Sequence, residues 1–406
     1  MNFEHNDKTK ELIARLEAFM DAHIYSAEAV YAEQMEAFGE NRWQVPAILE
    51  ELKEKAKAEG LWNLFLPESE RGYGLSNVEY APLCEIMGRV GFAAEVFNCS
   101  APDTGNMEVL ERYGNDRHKK EYMEPLLEGK IRSAFLMTEP AVASSDATNI
   151  ETRIERDGDE YVINGSKIWT TQGNYADYMI LLARTNPDAE TKYKGLSFFL
   201  APMKAPGVET VPIRKLTGEY GFTQTFFTDA RIPASSLMGQ EGEGWIIAME
   251  TLEYERGARS GQAGGHVMML TNPADIIDLA KSAQVNGRPA IEDPALREEL
   301  VKLMTEARAL GLNSRRDKIQ PLTQDYPMSL ALGSKLSSTD FYQRLNAFAI
   351  SLQGTRGAYY VDDPSAHDNG IWQRGYLNSF SATIGGGTSQ IQRNIIGEHV
   401  LGLPKG

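Results

Sequence analysis

The chain has 406 residues, 42% of them hydrophobic, enough to bury a large core in one composite domain or in two to three subdomains. Its formal net charge of −16 excludes a general nucleic-acid binder, because neutralising phosphates takes clustered Lys and Arg. Cys84 and Cys99 have no metal-ligand spacing and read as free thiols of a reducing compartment, and no apolar run reaches the ~18 residues of a membrane span.

The opening MNFEHNDKTK lacks the basic, apolar and cleavage regions of a secretory signal, so a cytoplasmic setting is expected. From about residue 8 to 130 the spacing is helical. Leu12, Leu16, Phe19 and Met20 recur on one face, and Ile48, Leu49, Leu52 and Ala56 do the same before Gly60 closes the segment. Loop punctuation runs from Pro67 to Gly74, and Asn77 is the expected N-cap of the next helix. Between about 131 and 237 the period drops to two. Thr152 to Ile154, Glu160 to Ile163, Tyr178 to Ala183, Leu196 to Leu200 and Gln224 to Phe227 are short β-branched or aromatic runs separated by Asp157-Gly158, Asn164-Gly165 and Pro206-Gly207. They predict a small antiparallel β-domain. Beyond Gly239 helical spacing returns, with Pro294, Pro321 and Pro327 as breaks. The expected division is therefore 1–130 helical, 131–237 β and 238–406 helical.

No GxGxxG follows a strand, and Walker, HExxH, CxxC and Ser-His-Asp signatures are missing, so nicotinamide, nucleotide-hydrolysing, zinc and nucleophilic-serine mechanisms are not expected. Thr138 to Asp146 offers something else. Pro140 and the small residues Ala141, Ala143, Ser144 and Ser145 let a loop backbone approach a flat ligand and present N–H and hydroxyl donors to it, although a plain polar turn uses the same residues. Trp169 and Thr171 stand two apart on an expected strand and so share a face; an indole filling the core is the alternative. Thr388 has the position of a helix cap, with Ile391, Ile395 and Ile396 on the expected buried side.

Three blocks carry a resemblance: Met137-Thr138-Glu139-Pro140-Ala141-Val142-Ala143-Ser144-Ser145-Asp146, Tyr161-Val162-Ile163-Asn164-Gly165-Ser166-Lys167-Ile168-Trp169-Thr170-Thr171, and Gly387-Thr388-Ser389-Gln390-Ile391-Gln392-Arg393-Asn394-Ile395-Ile396. In this order, over nearly the whole chain, they resemble the acyl-CoA dehydrogenase family. The stretch from Phe97 to Glu108 is similar to the branch that includes vertebrate family members 10 and 11. The resemblance implies an α+β fold: an N-terminal helical domain, a middle antiparallel β-domain and a C-terminal four-helix-bundle-like domain, assembled as a homotetramer or homodimer. It also implies FAD. Met137 and Thr138 would touch the pyrimidine side of the flavin with Ser144 beside them, Trp169 would shield one face, and Thr171 would donate to the reactive ring nitrogen. Thr388 and Gln390 would hold the adenosine half, and Gln353, Gly354 and Gly357 would contact the diphosphate of the FAD in a neighbouring subunit. Ser145 would lie near the CoA moiety. Two departures stand out: the Ser144-Ser145 motif is one residue longer than its common form, and Asn286-Gly287-Arg288-Pro289 replaces an Arg three residues ahead of a Phe-Gly.

The implied reaction removes an α-proton from a saturated acyl-CoA as the β-hydrogen leaves as hydride to the flavin, with an electron-transferring flavoprotein as the final oxidant. Such a proton calls for a polarised thioester oxygen and a buried carboxylate of raised pKa. Many family members carry that Glu two residues before the Thr of the last block, where this chain has Gly386. Other branches carry it early in the C-terminal domain directly before an Arg, where this chain has Glu255-Arg256. Glu255 follows Leu252 by three and Ala248 by seven, on an apolar helical stripe; a surface pair with Arg259 is the alternative. The resemblance thus makes Glu255 the base, Arg256 a substrate-side neighbour and Gly386 a backbone N–H donor to the thioester oxygen. Two rival functions stay open: a silent subunit of a heteromeric dehydrogenase, and non-oxidative elimination on a CoA thioester.

Overall fold

The computed structural model describes residues 4–39, 44–66, 71–255, 273–317, 319 and 329–404, without the side chains at 145, 253–255, 317 and 329–331. The chain divides into two compact units, residues 1–262 and 263–406.

The first unit opens with α1 (Asp7–Phe19), α2 (Glu28–Ala37), α3 (Ala47–Ala58), α4 (Asn77–Met87), α5 (Ala93–Val96) and α6 (Asp103–Tyr113), followed by the short α7 (Asp116–His118) and α8 (Glu124–Leu127). α1 starts where the Asn6 side chain accepts the Thr9 N–H at 2.8 Å. Its Leu12, Leu16 and Phe19 are buried, as are Leu49, Leu52 and Ala56 of α3, at the spacing of one helical face. The cap of α4 is Ser76 rather than Asn77. The Ser76 N–H donates to the Glu79 carboxylate at 2.7 Å in a capping box, which moves Asn77 into the first turn.

Next come β1 (Ser133–Leu136), β2 (Arg153–Asp157), β3 (Glu160–Thr171), β4 (Tyr178–Arg184), β5 (Leu196–Pro202), β6 (Val208–Ile213), β7 (Phe222–Pro233) and β8 (Leu237–Met238). They form one sheet in the order β6-β7-β3-β2-β4-β5-β8, with β1 also paired to β4. The sheet is not wholly antiparallel. β1 runs parallel to β4 from Ser133↔Tyr178 to Leu136↔Leu181, and β2 meets β4 in parallel at Arg153↔Arg184. The β2–β3 hairpin intervenes, so the chain re-enters β4 from the end at which it entered β1. β4 and β5 are buried on both faces. Ile180, Leu182, Phe198 and Leu200 join the core of the helical half, and Met179, Leu181, Phe199 and Ala201 join a second core on the other side. Each such side chain stabilises the fold by roughly 1.5–3 kcal/mol. α9 (Gly244–Glu255) enters the first core through Ile247 and Ala248.

The second unit holds α10 (Ile276–Ser282), the small hairpin of β9 (Gln284–Val285) and β10 (Arg288–Pro289), then α11 (Pro294–Asp317), α12 (Ser329–Leu352), α13 (Ile371–Ala382) and α14 (Ser389–Ile395). Leu279, Leu300, Leu303, Phe341, Leu345, Leu352 and Trp372 form its core. Pro294 opens α11 instead of breaking a helix, since a first-turn residue has no N–H bond to lose. Pro321 and Pro327 lie outside the described residues. Helices, sheet and helices thus follow one another as an N-terminal helical domain, a middle β-sheet domain and a C-terminal helical domain.

Candidate active site

In the first unit the two middle blocks of sequence are bonded to each other. The Ile168 N–H donates to the Thr138 carbonyl at 2.8 Å. The Lys167 ammonium donates to the Met137 carbonyl at 3.0 Å and to the Glu139 carboxylate at 2.7 Å. Lys167 is wholly buried and Glu139 is 5% exposed. Glu139 also accepts the N–H groups of Glu151 at 2.6 Å and Thr152 at 2.9 Å. Burial would raise the Glu139 pKa, but the Lys167 charge and these bonds outweigh it and hold the carboxyl below its ordinary range. Burial pulls Lys167 down to about 8 against the opposing pull of the Glu139 charge. Neither residue stands out in the sequence as a site residue. The available signal was phase: Lys167 occupies the buried phase set by Tyr161 and Ile163 in β3.

Just beyond Lys167 the β3–β7 ladder carries an extra residue between Lys167↔Thr225 and Thr170↔Thr223, a β-bulge. Trp169 sits in this bulge at φ 62° and is 54% exposed, its ring perpendicular to Phe222 at 6.2 Å. An indole filling the core is thereby ruled out. Trp169 and the half-buried Thr171 lie either side of the buried Thr170, reached through the bulge rather than through unbroken alternation. Met137 and Thr138 are half-buried; Ser144 is exposed at the start of a 3₁₀ turn, Ser144–Asn149. The Ser145 side chain lies outside the described residues.

α6 and α9 pack together and run in opposite directions. α6 starts at Asp103, whose carboxylate accepts the Ser133 N–H at 2.7 Å, at the edge of β1 paired with Tyr178. The segment after α6 reaches Ser235 through His118 at 2.8 Å, near β8 and the Phe198 end of β5. α9 begins at that same end, where a Cβ on Gly244 would lie 2.5 Å from the Ser197 backbone. Arg112 and Glu250 pair across the two helices at 2.9 Å. The far end of α9, which is Glu255, therefore faces the α6 end that carries the buried polar residues Asp103, Thr104, Asn106 and Glu108. Asp103 is pushed up to about 6 by burial, with its bonds from Ser133 opposing. The Glu255 side chain and the whole of Arg256 lie outside the described residues, as does Arg259.

In the second unit Thr388 caps α14, accepting the Ile391 N–H at 3.2 Å. Ile391, Ile395 and Ile396 are only half-buried; the fully buried residue of this helix is Gln392, whose amide donates to the Gly386 carbonyl at 2.8 Å. Gly386 has φ 66°, and a Cβ there would meet nothing nearer than Lys335 Cε at 4.0 Å. Lys335 donates to the Gly387 carbonyl at 2.7 Å. Gln390 is exposed. Gln353 is buried at the end of α12, donating to the Ala349 carbonyl at 3.2 Å and accepting from Gln373 at 3.0 Å. Gly354 follows at φ 55° facing open space, whereas Gly357 packs against the Ile350 carbonyl. Among the described residues no cluster of His, Cys, Asp and Glu could hold a metal, and no helix is long and apolar enough to cross a membrane.

Three family models match the chain: the acyl-CoA dehydrogenase N-terminal domain at residues 6–130, the middle domain at 134–230 and the C-terminal domain at 242–401. Over 314 residues the chain is 41% identical to the Probable acyl-CoA dehydrogenase FadE2 of Mycobacterium tuberculosis, covering 75% of each protein. It is 46% identical over 259 residues to Acyl-CoA dehydrogenase family member 11 of Gallus gallus, covering 62% of this chain and 33% of that protein. The chain thus spans about a third of that relative's length. A solved Mycobacterium abscessus structure, provisionally described as an acyl-CoA dehydrogenase, matches with TM-score 0.86 at 33% identity over 98% of this chain and 99% of that one. The Tcur3481-Tcur3483 steroid ACAD matches with TM-score 0.81 at 26% identity over 100% of both chains.

Proposed function

Because this chain belongs to the acyl-CoA dehydrogenase family, we propose that it catalyses the FAD-dependent α,β-dehydrogenation of an acyl-CoA thioester to the trans-2-enoyl-CoA. One observation carries the reading furthest. Trp169 is a large aromatic side chain held out of the core, in a bulge bonded to the Met137–Glu139 segment, which suits a flat ring rather than a packed interior. The ring faces solvent beside the Met137–Thr138 segment, so the residues fit a bound flavin.

In this reading Met137, Thr138, Ser144, Trp169 and Thr171 hold the flavin, and Thr388, Gln390, Gln353, Gly354 and Gly357 hold the rest of FAD, the last three across a subunit contact. The open space at Gly354 leaves room for a diphosphate. Bound FAD supplies a two-electron acceptor for the β-hydride. Glu255 takes the α-proton, a step that calls for a carboxylate base at this end of α9. Gly386 offers its N–H to the thioester oxygen, while its carbonyl, in the following peptide, is held by Gln392, and Ser145 and Arg256 contact the CoA ester. Electrons pass on to an electron-transferring flavoprotein, and the working form is a homotetramer or homodimer.

The test is the native protein's absorbance. Oxidised-flavin bands near one FAD per chain, bleached anaerobically by one member of a panel of short, branched, long and ring-bearing acyl-CoAs, are expected. A colourless protein that cannot be reconstituted with FAD rejects the cofactor, and a yellow protein bleached by none of the panel rejects the oxidation.

A further inference from the structure

The geometry points to the buried Lys167–Glu139 pair as the positioning device of the flavin wall: it holds the Met137–Thr138 segment and the Trp169 bulge in one fixed relation. The inference rests on the flavin reading above, but its argument is one of packing. A buried ion pair is a poor source of stability, because desolvating two charges offsets most of their attraction and an apolar pair of the same volume does as well or better. What the pair supplies is direction. Its ammonium fixes the Met137 carbonyl, and its carboxylate fixes the N–H groups of Glu151 and Thr152, at the far end of the loop that carries Ser144. On the next residue the Ile168 N–H donates to the Thr138 carbonyl, and the β7 register resumes at Thr170↔Thr223.

This is where the chain is under strain. A Trp at φ 62° is a rare conformation for a bulky residue, and it persists only where its neighbours over-determine it. On the C-terminal side the Thr223 hydroxyl holds the Thr170 carbonyl at 3.3 Å. On the N-terminal side the fixed point is Lys167. The two charged residues, 28 positions apart in sequence, thus set the angle at which the indole stands from the sheet and its distance from the Met137–Thr138 backbone. Neither touches the ligand; both act through Trp169 and the loop.

The deciding variant is Lys167→Met with Glu139→Leu, which removes both charges and leaves no buried ion alone. Glu139→Gln is the second, milder variant should the double variant not fold. Two readouts are taken: FAD affinity from quenching of FAD fluorescence, and, in FAD-free protein, the acrylamide quenching owed to Trp169, obtained against a Trp169→Phe background because the chain has five Trp. A folded double variant should bind FAD at least about tenfold more weakly and show altered Trp169 quenching, with Glu139→Gln changing both in the same direction. Unchanged affinity and unchanged quenching in a folded variant would reduce the pair to a structural element and overturn the inference. If the parent itself binds no FAD, the flavin reading fails separately, and the Trp169 quenching alone decides whether the pair places the indole.

Discussion

The Gln392 side-chain amide donates to the Gly386 carbonyl at 2.8 Å, so the backbone at the position where many relatives carry a catalytic Glu is held by a buried residue of the following helix. With Lys335 on the neighbouring Gly387 carbonyl, the turn is tied down from α12 and from α14, and Gly386 is locked at φ 66°. Space for a side chain is open there; the backbone angle is what resists one. Gly386→Ala and Gly386→Glu should therefore each lose only about 1–2 kcal/mol, and by similar amounts, in thermal unfolding. A much larger loss for Glu than for Ala would show that the space is closed.

Trp169→Ala separates the two uses an indole can have. Truncating a core Trp costs about 3–5 kcal/mol, whereas an exposed side chain usually changes stability by about 0.5 kcal/mol or less. With the indole 54% exposed, the FAD-free variant should melt close to the parent while retaining flavin less well. A large drop in the FAD-free melting temperature would contradict this placement.

Asp103 gives a pH dependence whose sign follows from its burial. Its carboxyl titrates near 6 in the fold against 3.8 ordinarily, so the folded state binds more protons between these values, and this residue's contribution to stability is lost as the pH rises through that window. Asp103→Asn keeps an acceptor for the Ser133 N–H and removes the titration. The stability of the parent minus that of the variant should fall by up to about 3 kcal/mol from pH 3.5 to pH 7. Denaturant unfolding at the two pH values measures it, and a flat difference would place the Asp103 carboxyl near its ordinary value.

The parts of this fold that were legible in sequence are those governed by local patterning. α1 and α3 showed their buried faces, and the run from Tyr178 to Ala183 announced β4 because both faces of that strand are buried and nothing interrupts it. Sequence patterning alone ends β3 at Ile163, because Asn164-Gly165 has the composition of a turn. In the fold Gly165 stays in the strand at φ 140°, where a Cβ would meet the Thr152 backbone at 2.8 Å, so this glycine serves close strand approach. β6 has no clear sequence signature since it is an edge strand with exposed Glu209 and Pro212, and β1 has none since four residues carry little periodicity. The blocks around Met137 and Trp169 were visible as motifs, but their coupling through Lys167 and Glu139 was not, because two charges far apart in sequence carry no local sign of burial.

The proposed base is Glu255, at the end of α9 that lies towards the Asp103 end of α6. Glu255→Gln keeps shape and hydrogen bonding and removes basicity, and Glu253→Gln, at a different helical phase, serves as the control. The direct measurement is the anaerobic rate of flavin bleaching by an acyl-CoA that bleaches the parent. Glu255→Gln should retain FAD and bind the thioester yet bleach about 10²–10⁴-fold more slowly, while Glu253→Gln stays near the parent rate. Bleaching of Glu255→Gln as fast as the parent would place the base elsewhere and contradict the mechanism.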